Sequence, residues 1–179
     1  GIEPDWSPKE SDDAELDASF KLLNTHLHLL ESFTEYYRAT GVGREQLEEL
    51  LHICTNTVLR QNVGASTDKY SPDWTPQLGE LALASYGHDL ESVWLVMDAV
   101  EALGLSQELF KNFYSTLWEY SLEYGYDDEH GGFYFFGPLG EPATSHVKAW
   151  WVQAEALTSA LRMYELTGEE RYRDVFEAT

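Results

Sequence analysis

The chain has 179 residues, 43% of them hydrophobic, enough for one domain with a real core and too many for a disordered segment. Acidic residues outnumber basic ones 32 to 11, for a formal net charge of −21, so nucleic acid and anionic membranes are excluded as partners. One cysteine, Cys54, rules out an internal disulfide, and no long uncharged apolar run marks a leader or a membrane span, so a cytoplasmic location is expected.

Six helices are predicted in chain order. The first runs from about Asp13 to Ala39, carried by Leu16, Phe20, Leu23, Leu27, Leu30 and Tyr37 and stopped by Gly41. The second covers Arg44 to Gln61, with Leu47, Leu50, Leu51, Cys54 and Val58 on its buried face. The third starts near His88 and ends before Gly104, and the fourth covers Ser106 to Tyr124. The fifth runs from His146 to Thr167 and stops at Gly168, and the sixth extends from Glu169 to the end. Each odd-numbered helix is followed by a short turn and an antiparallel partner, which makes an all-α chain of helical hairpins. Two long loops, 62–80 and 125–145, follow even-numbered helices and should gather at one end, where sites are usually built. The second loop alternates aromatics with glycines and predicts a short β-hairpin.

Three segments carry candidate chemistry. On the first helix Asn24, His28, Glu31 and Glu35 fall at i, i+4, i+7 and i+11, one polar stripe on an otherwise apolar helix. The stripe faces either a wet cavity or bulk solvent. His26 lies off that stripe and reads as structural, and His26-x-His28 diverges too far on a helix to be a metal pair. At the start of the third helix, His88 and Glu91 are three residues apart on one face, a plausible proton-transfer unit. The helix N-terminus disfavours imidazolium there and Glu91 favours it. The plainer alternative is that His88 or Asp89 caps the helix and Glu91 completes the cap. On the fifth helix Trp151, Glu155 and Thr158 share one face, while Trp150, Ala154, Leu157 and Leu161 share another. An indole beside a carboxylate suits a sugar, because sugar rings stack on aromatics and hydroxyls donate to carboxylates. Two core tryptophans with an exposed Glu would give the same pattern. Trp74, Tyr126, Phe133, Tyr134 and Phe136 could extend such a platform. Phosphate-binding glycine loops, zinc-protease and serine-hydrolase motifs are all missing from the sequence.

Taken together, the segments Asn24 to Glu31, Ser85 to Glu91 and Lys148 to Ala156 resemble the N-acylglucosamine 2-epimerase superfamily, and within it the cellobiose 2-epimerase branch most. The resemblance runs from about Asp17 onward. It implies an (α/α)6 barrel around a sugar pocket, and a reaction that needs no cofactor and no metal. The ring opens, one His removes the C2 proton, and the enediolate is reprotonated from the other face by a second His. By resemblance His88 is an acid/base residue with Glu91 beside it. His28 and Asn24 contact the sugar and assist ring opening, while Trp151, Glu155 and Trp150 line the substrate site. The second His belongs to a later His-x-Pro-Arg-like segment that this sequence does not contain. Residues 1–179 are therefore expected to form a single partial domain, about half of the toroid, with weak activity by itself and a tendency to self-associate or to pair with a complementing piece. An aldose–ketose isomerase of the same superfamily, an inactive carbohydrate-binding fragment and a glycosidase are the alternatives. The last needs two carboxylates across the scissile bond, and no such pair is identifiable.

Overall fold

The computed structural model describes residues 20–57, 59–60, 64–76 and 82–179. Six α-helices carry the fold: α1 (Leu23–Thr40), α2 (Arg44–His52), α3 (Tyr86–Ala102), α4 (Lys111–Gly125), α5 (Trp150–Thr167) and α6 (Glu170–Ala178). Among the described residues, six strands of two or three residues accompany them: β1 (Lys21–Leu22), β2 (Leu59–Arg60), β3 (Ala65–Ser66), β4 (Lys69–Tyr70), β5 (Leu83–Ser85) and β6 (Phe136–Pro138). They pair antiparallel as β1–β4, β2–β3 and β5–β6.

The helices form three hairpins, α1–α2, α3–α4 and α5–α6, and the odd-numbered helices also pack in a row, α1 on α3 and α3 on α5. This is the helical-hairpin, barrel-type architecture the sequence predicts. α3 sits at the centre: 12 of its 17 residues are buried, so its sequence is apolar nearly all round, as a core helix requires. α1 buries a single stripe, Leu23, Leu27, Leu30 and Thr34, spaced for one helix face. It ends at Gly41, whose positive φ of 70° lets its N–H reach back to the Tyr37 carbonyl at 2.8 Å. Between α3, α4, α5 and α6 the core is aromatic. Trp118 is fully buried against Phe133 and Tyr172, and its indole N–H donates to Ser159 Oγ at 3.1 Å.

Several predicted boundaries move, each for a local reason. The first helix does not include residues 20–22, because Leu22 is extended (φ −107°, ψ 134°) and β1 pairs with β4; residues 13–19 lie outside the described residues. The second ends at His52 and loosens into a π-helical turn over Ile53–Thr57. There Thr55 Oγ1 and Asn56 Nδ2 donate to the carbonyls of Leu51 and His52, a competition that weakens regular helix; Val58 lies outside the described residues. α4 is preceded by a 3-10 turn over Gln107–Leu109 rather than starting at Ser106. The fifth helix starts at Trp150, not His146, because Val147 accepts the N–H of Phe135 at 2.8 Å and Ala149 is extended. The loop over 125–145 is not a self-contained hairpin. One bridge joins Tyr126 to Phe133, and its strand β6 pairs with β5 at the entrance to α3.

Candidate active site

The β1–β4 and β5–β6 ribbons bring both long loops against the N-terminal ends of α1 and α3. His88 lies in the first turn of α3. It does not cap that helix: Ser85 does, its hydroxyl accepting the His88 N–H at 3.4 Å. The imidazole is thereby free to face its neighbours, and its side chain is only 13% exposed.

Both ring nitrogens are occupied. Nδ1 lies 2.9 Å from Asp68 Oδ1, and Nε2 lies 3.1 Å from the side-chain amide nitrogen of Asn24 on α1. A carboxylate only accepts and an amide NH2 only donates. The neutral ring therefore carries its proton on Nδ1, with the Nε2 lone pair turned toward Asn24. The indole of Trp151, in the first turn of α5, lies 5.2 Å from the imidazole, tilted by 36°. Burial pulls the His88 pKa down, but the Asp68 hydrogen bond and charge, with Glu91 and Asp89 behind them, lift it above the ordinary value overall.

Glu91 is buried one turn along α3. Burial, reinforced by the charge of Glu155, pushes its pKa up to about 7. Glu155 is itself held by the indole N–H of Trp94, 2.7 Å from Oε2. Trp151, Glu155 and Trp94 thus tie α5 to α3 around the His88–Glu91 face. His28 is one turn beyond Asn24 and pairs with Glu31 at 3.1 Å, both about half exposed.

Other sequence expectations are placed differently. Trp150 is 83% exposed, so the face it shares with Leu161 is not a core face; α5 buries Val152, Ala156, Ser159, Ala160 and Met163 instead. The α1 stripe of Asn24, His28, Glu31 and Glu35 is exposed along its length. His26 is structural, as its place off the stripe suggests, its Nδ1 2.7 Å from the Leu22 carbonyl and its ring edge-on to Trp74. Phe133 is core, Tyr126 packs on Phe133, and Tyr134 stacks with His146. The loop aromatic that meets Trp151 is Phe135, T-shaped at 5.7 Å, which in turn contacts Phe136. Nothing in the sequence pattern singles out Asp68 or Phe135. Asp68 lies 20 residues before its partner in a polar loop, and no periodicity announces it. Among the described residues no group of three or more His, Cys, Asp or Glu is arranged to hold a metal ion.

The model of the N-acylglucosamine 2-epimerase (GlcNAc 2-epimerase) family matches residues 4–179. The chain belongs to that family. Among curated proteins it is 28% identical over 160 residues to the cellobiose 2-epimerase of Bacteroides fragilis, across 83% of this chain and 38% of that enzyme. Among solved structures it aligns with the cellobiose 2-epimerase of Spirochaeta thermophila at 30% identity and TM-score 0.76, over 98% of this chain and 44% of the other. It shares the fold of a D-mannose isomerase at TM-score 0.80 and 19% identity, over 99% of this chain and 46% of the other. The chain thus spans less than half the length of these two cellobiose 2-epimerases.

Proposed function

We propose that this chain supplies one acid/base face of a sugar 2-epimerase, acting on the reducing-end glucose or mannose unit of a cellobiose-like substrate without a metal. The observation that carries the reading is the His88 imidazole, with a defined acceptor nitrogen beside an indole and a carboxylate that titrates near neutrality. In the open-chain sugar the C2 proton is acidified by the C1 carbonyl. His88 Nε2 takes that proton, the C–H electron pair forms the C1=C2 bond, and O1 gains the negative charge of an enediolate. Returning a proton to C2 on the opposite face, from a second acid, gives the epimer. Asn24 moves off Nε2 as the sugar enters and, with His28, binds sugar hydroxyls and assists ring opening. Trp151 stacks on the ring, Glu155 accepts from hydroxyls, and exposed Trp150 lines the approach. Glu91, its pKa pushed up to about 7 by burial, holds or releases a proton beside the imidazole.

A cytoplasmic setting fits the lone buried thiol of Cys54. Self-association fits the exposed apolar side chains of Val147, Trp150 and Leu161. No described helix is long and apolar enough to cross a membrane.

An aldose–ketose isomerase shares the enediolate and delivers the proton to C1 instead. The fold shared with D-mannose isomerase keeps that reading second. Both are tested by incubating the purified chain with cellobiose in D2O and following the sugar by NMR. Slow deuterium incorporation at C2, abolished by His88→Asn in a folded protein, is the expected result. Ketose formation would replace the epimerase reading with the isomerase one. No exchange by a folded sample, or exchange that survives His88→Asn, would overturn both.

A further inference from the structure

The turn that carries Asp68 is held from two sides. Its backbone carbonyl accepts the N–H of Leu23, the first residue of α1, at 2.9 Å. One residue on, Lys69 pairs with Leu22 in the β1–β4 ribbon. On the other side, Ser66 donates both its backbone N–H and its hydroxyl to Oδ1 of Asp89, the neighbour of His88 in α3. Between these anchors the Thr67 N–H donates to the buried Tyr70 hydroxyl at 3.1 Å. The backbone of such a turn has little freedom. Its placement is fixed relative to α1, which presents Asn24, and to α3, which presents His88.

We propose that Asp68 is the positioning residue of this site: it holds the His88 ring by Nδ1–H, leaves Nε2 as the proton-accepting atom, and stabilises the imidazolium formed when that atom is protonated. This rests on reading His88 as the base. The Asp68 backbone ties α1 to the turn, while its side chain and the Asn24 amide grip the imidazole from opposite edges. The other charged groups acting on the ring are Glu91 and Asp89, both on α3. The groups that touch the ring from α1 and α5 are the Asn24 amide and the Trp151 indole, neither of which titrates, while Glu155 of α5 and His28 and Glu31 of α1 act on Glu91 beside it. An ordinary surface ion pair would do none of this, because a half-exposed carboxylate with a mobile partner contributes little. Here the partner is largely buried, and the backbone that carries the carboxylate is tied to α1.

The test uses the full chain, uniformly labelled with nitrogen-15, and reads the His88 ring by long-range proton–nitrogen NMR across pH. In the native protein the neutral ring is expected to carry its proton on Nδ1. In Asp68→Asn the amide oxygen still accepts from Nδ1, so the tautomer is retained, while loss of the charge moves the titration midpoint to lower pH. In Asp68→Ala the midpoint falls as well, and the Nδ1–H preference is lost. Both variants keep the backbone carbonyl that holds Leu23. Should Asp68→Ala fail to fold, the near-isosteric Asp68→Asn decides the question by its midpoint alone. A midpoint unmoved in Asp68→Asn, or a native ring protonated on Nε2, overturns the proposal. The readout needs no turnover, so absence of C2 exchange would sink the epimerase reading and leave these shifts standing, and unmoved shifts would do the reverse.

Discussion

Glu91 sits in an environment that opposes its ordinary state. Its pKa rises to about 7 in the folded protein from an ordinary 4.5, because burial and Glu155 both penalise the anion. A carboxyl group raised in this way binds its proton more tightly folded than unfolded. The associated stability is complete below about pH 4.5 and is lost as pH rises through about 7. Glu91→Gln removes the titration. It should leave the unfolding midpoint nearly unchanged at pH 4.5 and raise stability by about 1–3 kcal/mol at pH 8, measured by urea denaturation at the two pH values. If Glu91 serves the chemistry proposed for it, the same variant is more stable and less active, a trade typical of active sites. His88 illustrates what a sequence discloses at this scale. The imidazole and its i+3 carboxylate are legible as a helix-face pair, and Asn24 and Trp151 are legible as polar and aromatic groups at helix starts. Asp68 is not, because its value comes from a two-residue ribbon that sets one turn against two helices, and short ribbons leave no periodic signal.

Among the elements, α3 and α5 approach closely because of one glycine. A Cβ built on Gly87 would stand 2.4 Å from the Trp151 ring and 2.8 Å from a Val152 methyl. Gly87 has ordinary helical backbone, so the requirement is space and not conformation. Gly87→Ala should destabilise the protein by about 1–3 kcal/mol and push the indole off His88, read together as a lower melting temperature and a changed tryptophan emission spectrum. A native spectrum with a native melting temperature would show that the helices part at no cost. Element legibility follows burial. α3 is apolar nearly all round and its limits are read to within two residues, Tyr86 against an expected His88. α5 is misjudged at its start, where Trp150 suits a core face by composition and yet stands 83% exposed in the first turn. Period alone cannot say which side of a two-sided apolar helix faces in.

For the molecule as a whole, several shifted groups point the same way. His88, Asp89 and Glu91 all hold protons more tightly when folded, His88 mainly through Asp68 against its burial, the other two through burial. The contributions of Asp89 and Glu91 are therefore complete only below about pH 4 and are lost as pH rises to about 7, while that of His88 is complete below about pH 6.5 and is lost above it. Asp127, hydrogen-bonded to Lys148, and Asp73, hydrogen-bonded to the Thr75 N–H, are shifted downward, so their contributions vanish only as pH falls below about 4. A net charge of −21 adds self-repulsion wherever the carboxylates are ionised. Thermal stability should peak between about pH 4 and 5 and, at pH 8, rise with added sodium chloride as screening relieves that repulsion. A flat melting profile from pH 5 to 8 would contradict this. The hairpin architecture was legible because six amphipathic or apolar segments with clear stops leave few other packings. The stitching of the loops was not, since it depends on pairings between residues tens of positions apart.

That stitching has a bearing on how such a scaffold diversifies. Tyr70 and Phe136 are pinned by ribbon pairings, to Lys21 and Ser85 respectively. Chain lying beyond a pinned point can lengthen, shorten or change character without transmitting the alteration back to the helix it hangs from. The exposed turn at Pro72 and Asp73 follows β4, and the tip around Glu141 follows β6, so both lie downstream of a pin. Variation at those tips would leave the imidazole and its clamps untouched. Selection could then explore new ligands in one region without risking inherited chemistry in another.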